Sequence, residues 1–319
     1  MTYSAGNTIV DDDYNIFATG NAAGTGDQSV ANINSIIGVG GNEFGYGQGT
    51  EVPAVTAGDD VVATNWANLL TRNATLASHQ GTSITSITNP STGNTIEAYA
   101  ALSANVTATY NGKLNAAASG SDITRTTTTT SSWNTSSVLT QTITFPSRNQ
   151  LRYFFNAGGM IRCSWSRSGG TGSSQNTSWT NTLNAAGTIV LTSDGPSKTI
   201  AGVSYTGITK IGGSGTNQIL NTSNGIYDIS ATPTVQFKQI PPSGYGDNEI
   251  EYYMSIPAGG TVLTLKIDLS DDYTPPDPGS PDLVNGTLTQ TLIVRPPSTT
   301  HLTASWGTPT ISSNSWVQS

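Results

Sequence analysis

Two periods of apolar spacing divide this chain. Up to about residue 118 the recurrences fit a helix, and from about residue 137 they fit strands. Trp66, Leu69, Leu70 and Leu76 share one helical stripe, with Asn73 polar on it. This stripe belongs to a loose internal repeat. Gly6-Asn7-Thr8-Ile9-Val10 precedes Asp13, Tyr14 and Phe17, and Gly58-Asp59-Asp60-Val61-Val62 precedes Asn65, Trp66 and Leu69. Each copy predicts a short strand, then an Asp, Thr or Asn cap, then a helix start. The first helix breaks at Gly20, and Ile33, Ile36 and Ile37 form a second short apolar set. A third helix is predicted within 94–118 on Ile96, Tyr99, Ala100, Ala104 and Ala108, with Gly120 as its stop. Residues 119–136 are low in complexity, and the threonines Thr126 to Thr130 read as a linker or an extended edge strand.

Beyond this stretch Leu139, Gln141, Ile143 and Phe145 alternate with threonines. Leu151, Tyr153 and Phe155 alternate with Arg152, Phe154 and Asn156; after Asn156-Ala157-Gly158-Gly159, so do Ile161, Cys163 and Trp165 with polar residues. The block Thr142 to Gly170 therefore predicts a β-hairpin turning at Asn156–Gly159. Phe154 would point outward and need a cover from the fold, another subunit or a partner. Further strands are predicted at 188–192, 199–206, 234–240, 249–256, 262–269 and 287–295, with long loops at 167–178 and 271–282. The expected fold class is mainly β. A C-terminal antiparallel β-sandwich, jelly-roll or Ig-like, occupies 137–319. It follows an N-terminal docking region with short helices (1–88) and a helical segment with a Thr-rich linker (89–136).

Composition changes the picture in three ways. Charged residues are only 10% of the chain while Tyr, Trp and Phe number 12, 6 and 6, which argues against disorder throughout. A net charge of −8 without a basic cluster argues against nucleic-acid binding. Cys163 is the only cysteine, so no intramolecular disulfide forms, and it reads as a small buried hydrophobe on a strand. No signal peptide and no 18-residue apolar run are apparent, which predicts synthesis and folding in a cytoplasm and no membrane insertion.

Candidate chemistry is sparse. The two histidines are His79, read as a helix C-terminal cap, and His301 in a polar turn. Glu249 and Glu251 share one strand face, and Asp268, Asp271 and Asp272 end another; they read as solvated faces and loops. The alternatives are a carboxylate pair for glycoside hydrolysis and a calcium site in Asp271 to Asp282. Asp11-Asp12-Asp13 reads as a helix-start cluster. The glycines Gly38 to Gly41 and Gly45 to Gln48 lack the Lys-Ser/Thr ending of a phosphate loop and read as a surface loop with an anchoring Tyr46. Phe154, Trp165, Trp179, Tyr245, Trp306 and Trp316 are candidates for stacking on sugars. No catalytic, cofactor-binding or metal-binding residue is expected.

Three places resemble a group of bacteriophage virion structural proteins, frequent in tailed phages of cyanobacteria and marine bacteria. The first runs from Tyr14-Asn15 through Ile33-Asn34 and Gly45-Tyr46-Gly47-Gln48 to Trp66 and His79-Gln80. The second is Arg152-Tyr153-Phe154-Phe155-Asn156-Ala157-Gly158-Gly159 with Ile161-Arg162, and the third is Asp282 to Pro297. The resemblance implies a non-enzymatic tail, neck, fibre or baseplate protein, located in the virion, with other virion proteins as partners. Low-charge β-surfaces suit permanent packing, so a homo-oligomer of open stoichiometry is expected, the trimer common among fibres being one option. The alternatives are a host-surface carbohydrate-binding module, and a depolymerase using Glu251 or Asp271.

Overall fold

The computed structural model describes residues 10–38, 45–89, 99–215, 218–242, 245–272 and 283–319. Four helices form the N-terminal part: α1 (Asp11–Thr19), α2 (Ile33–Ile37), α3 (Ala63–Gln80) and α4 (Tyr99–Asn111). The stripes of the first three helices meet as expected, with Tyr14, Phe17, Ile33, Ile36, Trp66 and Leu69 all buried. The fourth differs: α4 buries Leu102, Asn105, Val106 and Thr109, leaves Ala100 and Ala104 of the expected stripe exposed, and ends at Asn111, short of Gly120. The helix starts differ from expectation. No strand precedes α3, and the N-caps are Val10 and Val62, whose side chains carry no acceptor. Asn65 instead reaches back to accept from the Val62 N–H at 3.2 Å. The start of the first copy, and residues 94–98 of the third helix, lie outside the described residues.

The C-terminal part is mainly β: among the described residues two large antiparallel sheets pack face to face, and residues 198–200 and 203–205 form a separate two-stranded ladder. In chain order its elements are β1 (Ile123–Thr129), β2 (Ser136–Thr144), α5 (Arg148–Asn156), β3 (Met160–Ser168), α6 (Ser174–Ala186), β4 (Thr188–Leu191), β5 (Lys198–Ile200), β6 (Val203–Tyr205), β7 (Ile208–Ile211), β8 (Gln218–Leu220), β9 (Thr234–Gln239), β10 (Asn248–Ser255), β11 (Val262–Asp271), β12 (Thr287–Arg295) and β13 (Thr310–Gln318). One sheet runs β1-β12-β3-β4-β7 and the other β13-β2-β11-β10-β9-β8. Alternation sends Leu139, Ile143, Ile250, Tyr252, Leu265 and Ile267 inward from one sheet. Ile161, Cys163, Trp165, Leu288 and Leu292 face them from the other. The helix α6 packs on β3 and reaches β9 and β10, so it lies between the sheets. One continuous apolar cluster joins this interior to the helices, from Tyr14 to Trp306.

The expected hairpin is not there. Residues 148–156 form α5, and β2 and β3 belong to different sheets. The sequence fits both periods: Leu151, Phe154 and Phe155 also stand at helical i, i+3, i+4 spacing. Local signals favour the helix. The Ser147 side chain accepts from Gln150 N at 3.2 Å as an N-cap, and Gly158 follows the last turn at φ +94°. Phe154 is therefore not an outward strand residue. It is fully buried, edge-on to Phe145 at 5.2 Å and to Phe155 at 5.0 Å, so its cover comes from its own chain. The loop expected at 167–178 is likewise interrupted by α6, capped by Ser173 and buried through Trp179, Leu183 and Ala186. The Thr126–Thr130 run takes the extended alternative, as most of edge strand β1.

Side-chain amides pin what the ladders do not reach. Asn15 pairs with both backbone groups of Val55, at 2.9 Å each. Asn34 does the same with Val52 at 2.9 and 2.8 Å, and Asn105 with Thr85 at 2.8 Å each. Each amide supplies the donor and acceptor that a neighbouring strand would have given, so irregular segments keep their polar groups satisfied. The four edges of the two large sheets are guarded. β13 carries a bulge between Ser313 and Ser315, while β7 and β8 have four and three residues. On β1, Arg125 stands opposite the buried Leu292 and puts a charge on the inward side of the edge.

The Phe154→Ala variant should lower the unfolding free energy by about 3–5 kcal/mol, the cost of emptying a packed aromatic site. Denaturant titration checks this; a change below about 0.5 kcal/mol is what an exposed position would give.

Candidate functional site

Segments singled out in the sequence meet at one joint, where residues 45–48 and His79 of α3 bear on α5. Tyr46 is wholly buried there; its hydroxyl donates to Lys113 O at 2.7 Å and accepts from Gln80 Nε2 at 3.1 Å. Its backbone N–H donates to Ile36 O at 2.8 Å, and the Gln48 N–H to Ile37 O at 2.9 Å, which holds 45–48 as a strap along α2. The Gln48 amide spans 255 residues of sequence: Oε1 accepts from Thr303 N at 2.7 Å, and Nε2 donates to Thr303 O at 3.0 Å. Asn156, at the end of α5, donates to Gly45 O at 2.9 Å and accepts from the Tyr227 hydroxyl at 2.7 Å. Gly47 sits at φ +66° against the Tyr153 ring, where a Cβ would stand 2.3 Å from a ring carbon. Only glycine fits that close approach.

His79 completes the joint. It lies in the last turn of α3, buried, with Nε2 3.0 Å from Ala157 O and its ring edge-on to Tyr46 at 5.3 Å. Burial pulls its pKa down to about 4, so the imidazole is neutral at pH 7 and Nε2–H donates to the carbonyl. The expected role as a charged cap on the helix dipole is thus corrected: Gly81, at φ +71°, ends α3, and His79 ties α3 to α5 without charge. The same burial holds the Tyr46 phenol well above its usual range.

Beside the joint, α5 lines a cleft of about 260 Å³ with Arg148, Leu151 and Arg152. A 3-10 turn, Ile226–Asp228, adds Ile226 and Tyr227, and the β10–β11 turn adds residues 256–260. The lining includes no Asp or Glu.

The other candidates are spread out. Glu249 and Glu251 do share the outer face of β10, where Lys238 of β9 bridges them. Tyr253 donates to Glu251 at 2.5 Å, a bond that pushes its hydroxyl up to about 12, and Lys266 pairs with Asp268 at 3.0 Å. These are neighbours on a strand face, each carboxylate held by a cation or a hydroxyl. Asp271 is not on a solvated face. Its buried carboxylate accepts from Gln175 Nε2 at 2.6 and 2.5 Å and from Trp179 Nε1 at 3.3 Å, locking α6 to the end of β11. Most of the Asp271 to Asp282 calcium candidate, like 39–41 of the glycine segment, lies outside the described residues. Among the described residues, no group of three His, Cys, Asp or Glu is placed to hold a metal ion. Asp11, Asp12 and Asp13 occupy the first turn of α1. Cys163 is buried on β3 and accepts from Gln290 Nε2 at 3.1 Å; burial pushes the thiol up to about 12. Phe154, Trp165, Trp179 and Trp306 are buried, which leaves Tyr245 and Trp316 partly exposed.

Comparison with family models, curated proteins and solved structures finds no match for this chain.

A native pKa near 4 against 6.5 for a free imidazole fixes a pH dependence. Below about pH 6.5 the unfolded chain takes up a proton that native His79 refuses, so stability falls as pH drops from 7 toward 4. The His79 contribution amounts to about 3 kcal/mol at the lower end. Urea titrations at pH 7 and 4.5 should show this loss reduced in His79→Gln relative to the natural chain. Parallel pH profiles for the two proteins would mean that His79 is protonated in the native state.

Proposed function

We propose that this chain is a non-enzymatic structural component of a tailed-phage virion, a tail, neck or fibre protein. Its N-terminal helices dock on the particle and its β-domain is presented outward. The observation that carries the reading is the convergence of all three segments that bear the resemblance. The first meets the second through Asn156 and Gly45, Gly47 and Tyr153, and His79 and Ala157. The second meets the third where Ile161 and Met160 of β3 pair with Val294 and Arg295 of β12. The three segments thus touch one another inside the fold, which supports an architectural role for them in preference to a reaction. The burial of four of the six candidate stacking aromatics weighs against a carbohydrate-binding module.

Purified particles of the phage that encodes the chain provide the test. Peptide mass spectrometry should find the chain in them, and gold-labelled antibody against the β-domain should decorate the tail or its appendages. A chain found only in the soluble lysate, with unlabelled particles, overturns the proposal.

A further inference from the structure

The two ends of the β-sandwich differ in chemistry. At one end is the cleft beside α5, with the apolar side chains Leu151, Ile226 and Ile256 and the arginines Arg148, exposed, and Arg152, half-buried. Asp228, which ends the adjoining turn, has its carboxylate engaged by the Gly225 N–H at 2.7 Å. At the other end β10 begins, β11 and β13 finish, and residues 283–286 lead into β12. Exposed there are Asp247 and Asp272, together with two of the large apolar residues left exposed, Leu283 at 41% and Val317 at 57%. Acid beside apolar at one end matches arginine beside apolar at the other.

We propose that the α5 cleft receives the acidic end of a second copy of this chain, so that copies join head to tail. This rests on the reading of the chain as a virion structural subunit and names its self-contact. The two patches cannot meet within one molecule, because the ten residues of β11 hold them about 30 Å apart. A contact between two different patches leaves one cleft and one acidic end unfilled at every step, so it builds an open chain of subunits or closes into a ring. Charge complementarity sets the polarity and makes the contact sensitive to salt.

Sedimentation velocity of the full chain over a concentration series, at low and high salt, tests this. The natural chain should associate with concentration and less so at high salt. Arg148→Glu and Asp272→Lys each alter an exposed side chain, and each should weaken association at least about tenfold. Leu283→Asp should do the same without touching the cleft, and circular dichroism should show all three folded. Mixed together, Arg148→Glu and Leu283→Asp should stop at a dimer, since only the acidic end of the first and the cleft of the second remain intact and the two altered patches are both acidic. A natural chain that stays monomeric, variants that associate like it, or a mixture that grows past the dimer overturns the contact. A chain present in particles yet monomeric here removes this contact alone; one that associates here yet is missing from particles removes the virion reading alone.

Discussion

Three consecutive aromatic residues, Tyr153, Phe154 and Phe155, are all buried on one helix. Successive side chains on an α-helix turn by about 100°, so three in a row sweep more than half its circumference. A helix with one packed face cannot bury them; α5 has to be enclosed on several sides. The sandwich encloses it through Phe145, and the strap at 45–48 encloses it through Gly47, which lies flat on the Tyr153 ring. This constraint connects the helices to the β-layers and accounts for the single apolar cluster running through both.

The polar composition follows from the same architecture. With few charges available, remote segments are joined by neutral amides. Gln48 holds Thr303 and Asn105 holds Thr85, and Asn156 joins Gly45 to Tyr227. A neutral amide costs less to bury than an ion and can satisfy a donor and an acceptor together. The Asn and Gln richness of this chain is therefore structural at these positions, and a neutral His79 serves the same end.

Legibility in the sequence tracked the strength of the local pattern. Strict alternation in 249–256 and 262–269 located β10 and β11, and the Trp66–Leu76 stripe located α3. Residues 151–155 satisfy two periods at once, and the signal that decides between them, Ser147 as an N-cap, is a single residue outside the alternating run. The strand β13 carries little sequence signal, because TISSNSWVQ is polar and broken by a bulge. For α6, the Ser, Thr and Asn around Trp179 and Leu183 mimic a loop. At the joint, Tyr46 stood out as an anchor, but Gln48 and Asn156 did not, because their partners lie 255 and 111 residues away. The cleft was hidden for a simpler reason: Arg148 and Arg152 stand about 6 Å apart only once 148–156 is a helix, whereas an extended chain would hold them about 13 Å apart.

Calorimetry of the full chain tests most directly whether α5 joins helices and sandwich into one cooperative body. The account predicts a single unfolding transition whose calorimetric and van't Hoff enthalpies agree. A second, separate transition for the helical part, with the sandwich still folded, would contradict it.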